Sequence, residues 1–187
     1  LADVLTGAYS PSGRLPVSFP LDSGQQPFHY ARAPGGSAAP ADKPQAKFSM
    51  HFIGLPDAPL FAFGHGLGYG RVEYGAVKLG STTLAWNGTL EVTTEVRNSG
   101  QRTCEEVVQL YVRDRVASVS RPVRELKGFQ KITLAPGESR SVRFTLRRAD
   151  LMFVGSDLRW RAEPGEFDVW VAPSASAGQA AQFRLLG

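Results

Sequence analysis

Apolar and polar residues alternate with a period of two in four stretches of the second half of the chain, residues 90–97, 108–113, 142–147 and 167–171. This alternation is typical of a strand with one buried and one exposed face. It argues against a parallel sheet, because parallel strands are covered on both faces and are apolar throughout. Trp170 falls on the polar side of the last stretch.

Turn residues separate these stretches, and weaker strand signals lie between and around them. Gly with Asn or Pro marks turns at residues 98–100, 135–138 and 163–166. The weaker strand signals cover residues 76–79, 126–134, 158–161 and 182–186. About seven or eight short strands in roughly 115 residues, without a convincing helix, predict an all-β fold. The expected architecture is an antiparallel β-sandwich of the immunoglobulin or fibronectin III type.

The first 70 residues have a different character. Residues 1–5 place their apolar side chains on one helical face, and Gly7 is a suitable terminator. After a turn at residues 10–13, Pro16 interrupts an alternating run, which predicts a strand edge or an extended arm. Residues 31–47 are rich in Ala, Gly and Pro and predict a long surface loop.

Residues 51–70, "HFIGLPDAPLFAFGHGLGYG", are dense in aromatic residues and glycines and carry almost no charge. A segment of this composition does not suit a solvated loop. We expect irregular backbone packed between two domains, with the glycines allowing a close approach.

Composition narrows the classes of function. The formal net charge is +4 with scattered arginines, which does not favour nucleic-acid binding. The single cysteine, Cys104, excludes an internal disulfide framework and any multi-cysteine metal site. No stretch approaches the roughly 20 apolar residues of a membrane-spanning helix. No membrane or nucleic-acid partner is therefore expected.

Catalytic and metal-binding patterns are weak. His29, His51 and His65 do not have ligand-like spacing on one element. Glu105 and Glu106 are adjacent on a strand, so their side chains point to opposite faces and do not form a dyad. No nucleophile motif is present. These residues predict no catalytic residue, no metal and no cofactor.

The order of four segments is specific. "LADVLTGAYSPSGRLPVSFP", "PLFAFGHGLGYG", "EEVVQLYVRDRVASVSRPVRELKGFQKITLAPGESRSVRFTL" and "EPGEFDVWVAPSA" follow one another along nearly the whole chain. This order resembles the C-terminal end of family 3 glycoside hydrolases, the β-glucosidase and β-xylosidase group. The resemblance implies that residues 1–70 are the end of an α/β sandwich domain plus an interdomain connector. It implies a fibronectin type III-like domain over residues 71–187.

The resemblance also implies a function. In the family a barrel domain supplies an Asp nucleophile and the α/β domain supplies a Glu acid/base, and both would lie upstream of Leu1. Retaining hydrolysis needs that pair of carboxyl groups. The chain is therefore expected to be a non-catalytic part of a β-glucosidase-like enzyme, periplasmic or secreted, acting on a β-glucan or glucoside.

The expected partners are the catalytic domains of the same parent chain. The residues expected to pack against them are Phe61, Phe63, Leu67 and Tyr69. Without those domains the connector exposes an apolar patch, which predicts self-association.

Two alternatives stay open. A carbohydrate-binding module would use Trp86, Trp160 or Trp170 to stack on sugar rings, and Trp170 is the candidate because of its place on the polar side of its strand. A protein-interaction module has the same kind of fold, and fold alone does not decide function.

Overall fold

The computed structural model describes residues 1–33, 52 and 55–187. Its helical elements in this part of the chain are short: α1 (Ala2–Leu5) and two 3-10 turns, Ser23–Gln25 and Arg148–Leu151. The remaining elements are strands: β1 (Val72–Tyr74), β2 (Lys78–Leu79), β3 (Thr83–Leu84), β4 (Thr89–Asn98), β5 (Cys104–Asp114), β6 (Glu125–Leu134), β7 (Ser139–Arg147), β8 (Phe153–Val154), β9 (Trp160–Arg161), β10 (Gly165–Ala172) and β11 (Ala181–Leu185).

The strands form two main sheets. In the first, β7 pairs along β4, and the short strands β1 and β2 also pair with β4, all antiparallel. In the second, the order is β3-β11-β10-β5-β6, and only the β3–β11 pair is parallel. Strands β8 and β9 form a separate hairpin. Two facing and mainly antiparallel sheets confirm the predicted fibronectin III-like sandwich.

The core lies between the two sheets and is made by the inward-facing half of each strand. On β4, for example, buried and exposed residues alternate along most of the strand. Fully buried apolar side chains of this type each stabilise the fold by roughly 1.5–3 kcal/mol. The core includes Leu90, Val92, Val96, Val108, Leu110, Val112, Val142, Phe144, Leu146, Phe167, Val169, Val171, Phe183 and Leu185.

A third layer covers the outer face of the second sheet. It is formed by residues 10–33, here called the arm, and residues 59–70, here called the connector. Backbone hydrogen bonds join the two: the Leu15 N–H donates to the His65 carbonyl (2.9 Å), and the Gly64 N–H donates to the Leu15 carbonyl (2.8 Å). The Val123 N–H donates to the Arg32 carbonyl (2.9 Å) and ties the arm to the sandwich.

This third layer changes the burial of β10. From Phe167 to Ala172 every residue of the strand is buried, on both faces. Trp170 is only 8% exposed although it lies on the polar side of the sequence pattern. The alternation located the strand correctly, but it did not show that a separate part of the chain covers the outer face.

The strands predicted at residues 90–97, 108–113, 142–147 and 167–171 are confirmed as β4, β5, β7 and β10. The eleven strands of the described residues exceed the predicted seven or eight. The additional ones, β1, β3 and β8, have two or three residues each, which is too short for a periodic pattern.

Candidate functional site: the connector, its seat and its outward face

Glycine lets the connector backbone lie directly against the sandwich. Gly64 has a φ of +79°, and a Cβ there would overlap the side-chain oxygen of Gln109 and approach the Tyr111 hydroxyl to 2.9 Å. A Cβ at Gly70 would overlap the side chain of Cys104. The predicted close approach is therefore present, and it depends on the missing side chains.

Gln109 holds the connector in this position. Its side-chain amide donates to the carbonyls of Gly64 (3.2 Å) and Pro173 (2.6 Å). Its Oε1 atom accepts the Tyr111 hydroxyl. Because Gln109 is only 3% exposed, these partners satisfy a polar group that would be costly to bury alone.

Phe63 faces inward. Its ring stacks on Tyr30 with centroids 4.0 Å apart, and Tyr30 meets Tyr111 edge-on at 6.3 Å. The Phe63 carbonyl accepts the Ala175 N–H (2.9 Å). Phe63 thus fastens the connector to the arm and to the sandwich of the same chain.

The other three predicted packing residues present apolar surface to the outside. The side chains of Phe61, Leu67 and Tyr69 are 38%, 75% and 47% exposed. The Phe61 ring stacks on His65 at 4.9 Å, and the Tyr69 hydroxyl donates to the Val4 carbonyl (2.7 Å). These contacts fix the direction in which the exposed side chains point. We call the exposed apolar surface of Phe61, Leu67 and Tyr69 the outward face.

A buried ion pair links the arm to β5. Arg14 donates to Glu106 at 2.7 Å, and the Tyr74 hydroxyl donates to the other oxygen of Glu106 at 2.8 Å. Burial raises the pKa of Glu106, and the neighbouring Arg14 opposes that rise. Burial, reinforced by the Glu106 charge, also raises the pKa of Tyr74.

Glu105 lies on the opposite side of β5. It accepts hydrogen bonds from Lys131 (2.8 Å), Ser12 (2.9 Å) and Tyr9 (3.2 Å). These donors, Lys131 first, lower the pKa of Glu105. The two adjacent glutamates therefore act as separate ties between the start of the chain and the sandwich.

Trp170 lies at a cavity of about 360 Å³ between the arm and the second sheet. The guanidinium group of Arg124 lies 4.2 Å from the ring centroid and occupies one face of the indole. Burial lowers the pKa of Arg124 to about 10. Arg32 and Arg113 also line this cavity.

The other two tryptophans differ sharply in exposure. Trp86 packs partly buried on the core, and Arg148 lies 4.6 Å from its ring centroid. Trp160, on β9, is 68% exposed. The sequence pattern indicated all three tryptophans as candidates for sugar stacking and favoured Trp170 because of strand alternation. Alternation does not indicate which side chains are exposed on a two-residue strand such as β9.

The remaining chemically active side chains do not converge. Within residues 1–33, 52 and 55–187, no group of three His, Cys, Asp or Glu side chains is placed to hold a metal ion. His51 lies outside the described residues. Cys104 is buried, and burial raises the pKa of its thiol. No helix among the described residues is long and apolar enough to cross a membrane.

The connector is seated on the sandwich and leaves apolar side chains exposed on its outward face, which is typical of a segment that packs against another domain. Residues 1–69 match the glycosyl hydrolase family 3 C-terminal domain, and residues 106–175 match the fibronectin type III-like domain. The chain belongs to glycosyl hydrolase family 3, of which it is a non-catalytic C-terminal part.

Relatives match along the whole chain. The periplasmic beta-glucosidase of Salmonella typhimurium is 39% identical over 186 residues, which is 100% of this chain and 24% of that protein. A beta-xylosidase of Formosa agariphila is 44% identical over 179 residues, 95% of this chain and 23% of that protein. The chain thus spans about a quarter of the length of these relatives.

A solved structure has the same architecture. The beta-glucosidase from Listeria innocua, crystallised with glucose, superposes with a TM-score of 0.92 at 33% identity. The match covers 100% of this chain and 26% of that one. The arm, the connector and the sandwich therefore occur together in a larger enzyme of the family.

Proposed function

We propose that the protein containing this chain hydrolyses β-linked glucosides or xylosides with retention of configuration. In this proposal residues 1–187 are the structural part that holds the catalytic domains together. The observation that carries it is the order of the two family matches, residues 1–69 followed by 106–175, along relatives named as beta-glucosidase and beta-xylosidase.

The contacts support a division of the chain into two structural parts. We place the end of the α/β sandwich domain and the connector in residues 1–70, and the fibronectin type III-like domain in residues 71–187. The position of this boundary is supported by Gly70, which packs on Cys104, and by β1, which begins at Val72.

The outward face would pack on the catalytic domains. Its exposed apolar surface costs free energy in water, and covering it stabilises the larger assembly by about 25 cal/mol per Å². Phe63 would contribute indirectly, because its stack with Tyr30 holds the connector in place.

The adjacent carboxylates Glu105 and Glu106 do not suit the chemical step. Retaining hydrolysis requires two carboxyl groups about 5–5.5 Å apart across the glycosidic bond, one attacking and one protonating the leaving oxygen. Glu106 is bonded to Arg14 and Tyr74, and Glu105 to Lys131 and Ser12. The reaction is therefore assigned to the rest of the enzyme, with an Asp nucleophile and a Glu acid/base.

The test uses the full reading frame that contains this chain. The encoded protein is expected to hydrolyse a chromogenic nitrophenyl β-glucoside or β-xyloside, and proton NMR is expected to detect the β-anomer of the released sugar first. Residues 1–187 alone are expected to show no turnover. Absence of turnover by the full protein on both substrates, or turnover by residues 1–187 alone, would contradict the proposal.

We also propose a periplasmic or secreted location, which the periplasmic relative supports. Fractionation of cells that express the full reading frame checks this, and recovery of the enzyme only from the cytoplasm would contradict it.

A further inference from the structure

The β8–β9 hairpin carries an aromatic surface that the packing role does not use. Trp160 is 68% exposed, whereas Trp170 is 8% exposed. Among the described residues, arginine side chains lie over the rings of Trp86 and Trp170 but not over the ring of Trp160. In the part of the chain that the structure describes, Trp160 is therefore the most exposed of the three tryptophans.

Charged side chains line the groove beside this ring. The groove has a volume of about 410 Å³, and its polar lining consists of Arg121, Glu125, Lys127 and Asp150. Glu125 is shared between Arg121 (2.6 Å) and Lys127 (3.6 Å). Two cations and two carboxylates balance each other, so the groove favours a neutral ligand over an anion.

The β8–β9 hairpin that carries Trp160 is held in place by its surroundings. Trp160 pairs with Val154 across the hairpin, and Arg161 forms an ion pair with Asp157 at 2.6 Å in the hairpin turn. The guanidinium group of Arg121 lies 4.6 Å from the ring centroid of the buried Phe153. A hairpin backbone and an Arg121 side chain fixed in this way lose less conformational entropy when a ligand binds.

We propose that this groove binds a pyranose unit of a neutral oligosaccharide, with the sugar ring on Trp160. A pyranose has an apolar C–H face, which matches an aromatic surface, and hydroxyl groups that both donate and accept hydrogen bonds. The groove offers donors on Lys127 and Arg121 and acceptors on Glu125 and Asp150. The choice of β-glucan and β-xylan sugars as probes depends on the proposed function.

The test measures binding without hydrolysis. Cellotetraose and xylotetraose are titrated separately into residues 1–187, with isothermal titration calorimetry and tryptophan fluorescence as readouts. Saturable binding of at least one sugar is expected. Trp160→Ala should weaken that binding at least tenfold, about 1.4 kcal/mol, and Trp160→Phe should retain most of it.

Two further variants separate the sugar site from general effects. Lys127→Gln removes a donor from the groove and should weaken binding several-fold. Leu158→Ala, on the same hairpin and 83% exposed, should bind like the wild type. Unfolding curves establish that each variant is folded, and Trp160→Phe with Lys127→Gln decide the test if Trp160→Ala does not fold.

Three results would overturn the proposal: no saturable binding of either sugar, equal binding by Trp160→Ala, or a Trp160-dependent self-association without sugar binding. The last would assign the ring to a protein contact. Because hydrolysis is measured on the full protein and binding on residues 1–187, either proposal can fail while the other holds.

Discussion

Asp114 is a buried carboxyl group at the end of β5. It is 7% exposed, its Oδ1 atom accepts the Val116 N–H at 3.3 Å, and its Oδ2 atom has no hydrogen-bond partner among the described residues. Burial raises the pKa of Asp114 to about 6, although the Val116 hydrogen bond and the Arg121 charge oppose the rise. Above that pH the folded protein holds an incompletely compensated charge.

We predict that Asp114 makes the protein less stable as pH rises. The folded pKa lies above the unfolded value near 4, so its contribution to stability is complete below about pH 4 and is lost as pH rises through about 6. Asp114→Asn should remove this dependence and should raise the free energy of unfolding by about 3 kcal/mol at pH 8. Urea unfolding of both proteins between about pH 4 and 8 measures the difference.

The exposed Glu166 gives a matched control. Its substitution by Gln should change the free energy of unfolding little, because the side chain is exposed. A difference between the wild type and Asp114→Asn that stays constant over this range would contradict the prediction.

At the scale of single residues, the sequence predicted the strand face on which a residue lies better than the groups that contact it. The prediction that Glu105 and Glu106 point to opposite faces follows from strand geometry, and their partners confirm it. Neither partner could be predicted, because Arg14 and Ser12 are more than 90 residues away along the chain. The burial of Trp170 escaped prediction for the same reason.

The seat of the connector on the second sheet depends on Gly64. An Ala there would need a left-handed backbone, which costs about 1–2 kcal/mol, and its Cβ would also overlap Gln109. We predict that Gly64→Ala lowers the free energy of unfolding by about 3 kcal/mol or releases the connector. Chemical unfolding and limited proteolysis within residues 59–70 measure the two effects.

Gly137 separates the two causes. Its φ is +75°, similar to that of Gly64, but a Cβ there would meet no atom within 4 Å. Gly137→Ala should therefore cost only the conformational term, about 1 kcal/mol, and should leave the connector protected. Equal effects of the two substitutions would show that the close approach at Gly64 is unimportant.

The length of a strand explains whether the alternation of apolar and polar residues predicted it. Strands β4, β5, β7 and β10 have eight or more residues, and each contains the predicted alternating run. The arm was predicted as extended, and its backbone pairs with the connector at Phe19 and Phe61. The position of these extended segments on the sheet depends on distant contacts, which periodicity does not encode.

On the scale of the whole molecule, the described part of the chain exposes several apolar side chains of the connector, and a contiguous surface of this kind is typical of an interaction site. The outward face is joined there by residues of the arm that are about half exposed, Val17, Phe19 and Leu21. We predict that residues 1–187 self-associate at high concentration. Sedimentation velocity over a wide concentration range should show a weight-average mass that rises above that of the monomer.

The double variant Phe61→Ser/Leu67→Ser should sediment as a monomer over more of that range. Val116→Ser is the control, since Val116 is 81% exposed but lies outside the connector, and it should behave like the wild type. A wild-type chain that stays monomeric at every concentration would contradict the prediction.

Family membership was predictable at this scale because four segments keep their order over nearly the whole chain. The sugar-binding groove was not, because its lining comes from β6, the 3-10 turn at Arg148–Leu151 and the β8–β9 hairpin. Nothing in the local sequence around Trp160 indicates that Lys127 and Asp150 lie beside it.

The connector meets the sandwich mainly through glycines and main-chain groups, whereas Leu67 and Tyr69 point away from it. The solvent-facing side of the connector can consequently be changed separately from the side that contacts the sandwich. Residues on the solvent-facing side can be substituted without repacking the core. The sandwich could therefore be adapted to pack against the catalytic domains of a different enzyme by substituting only a few residues.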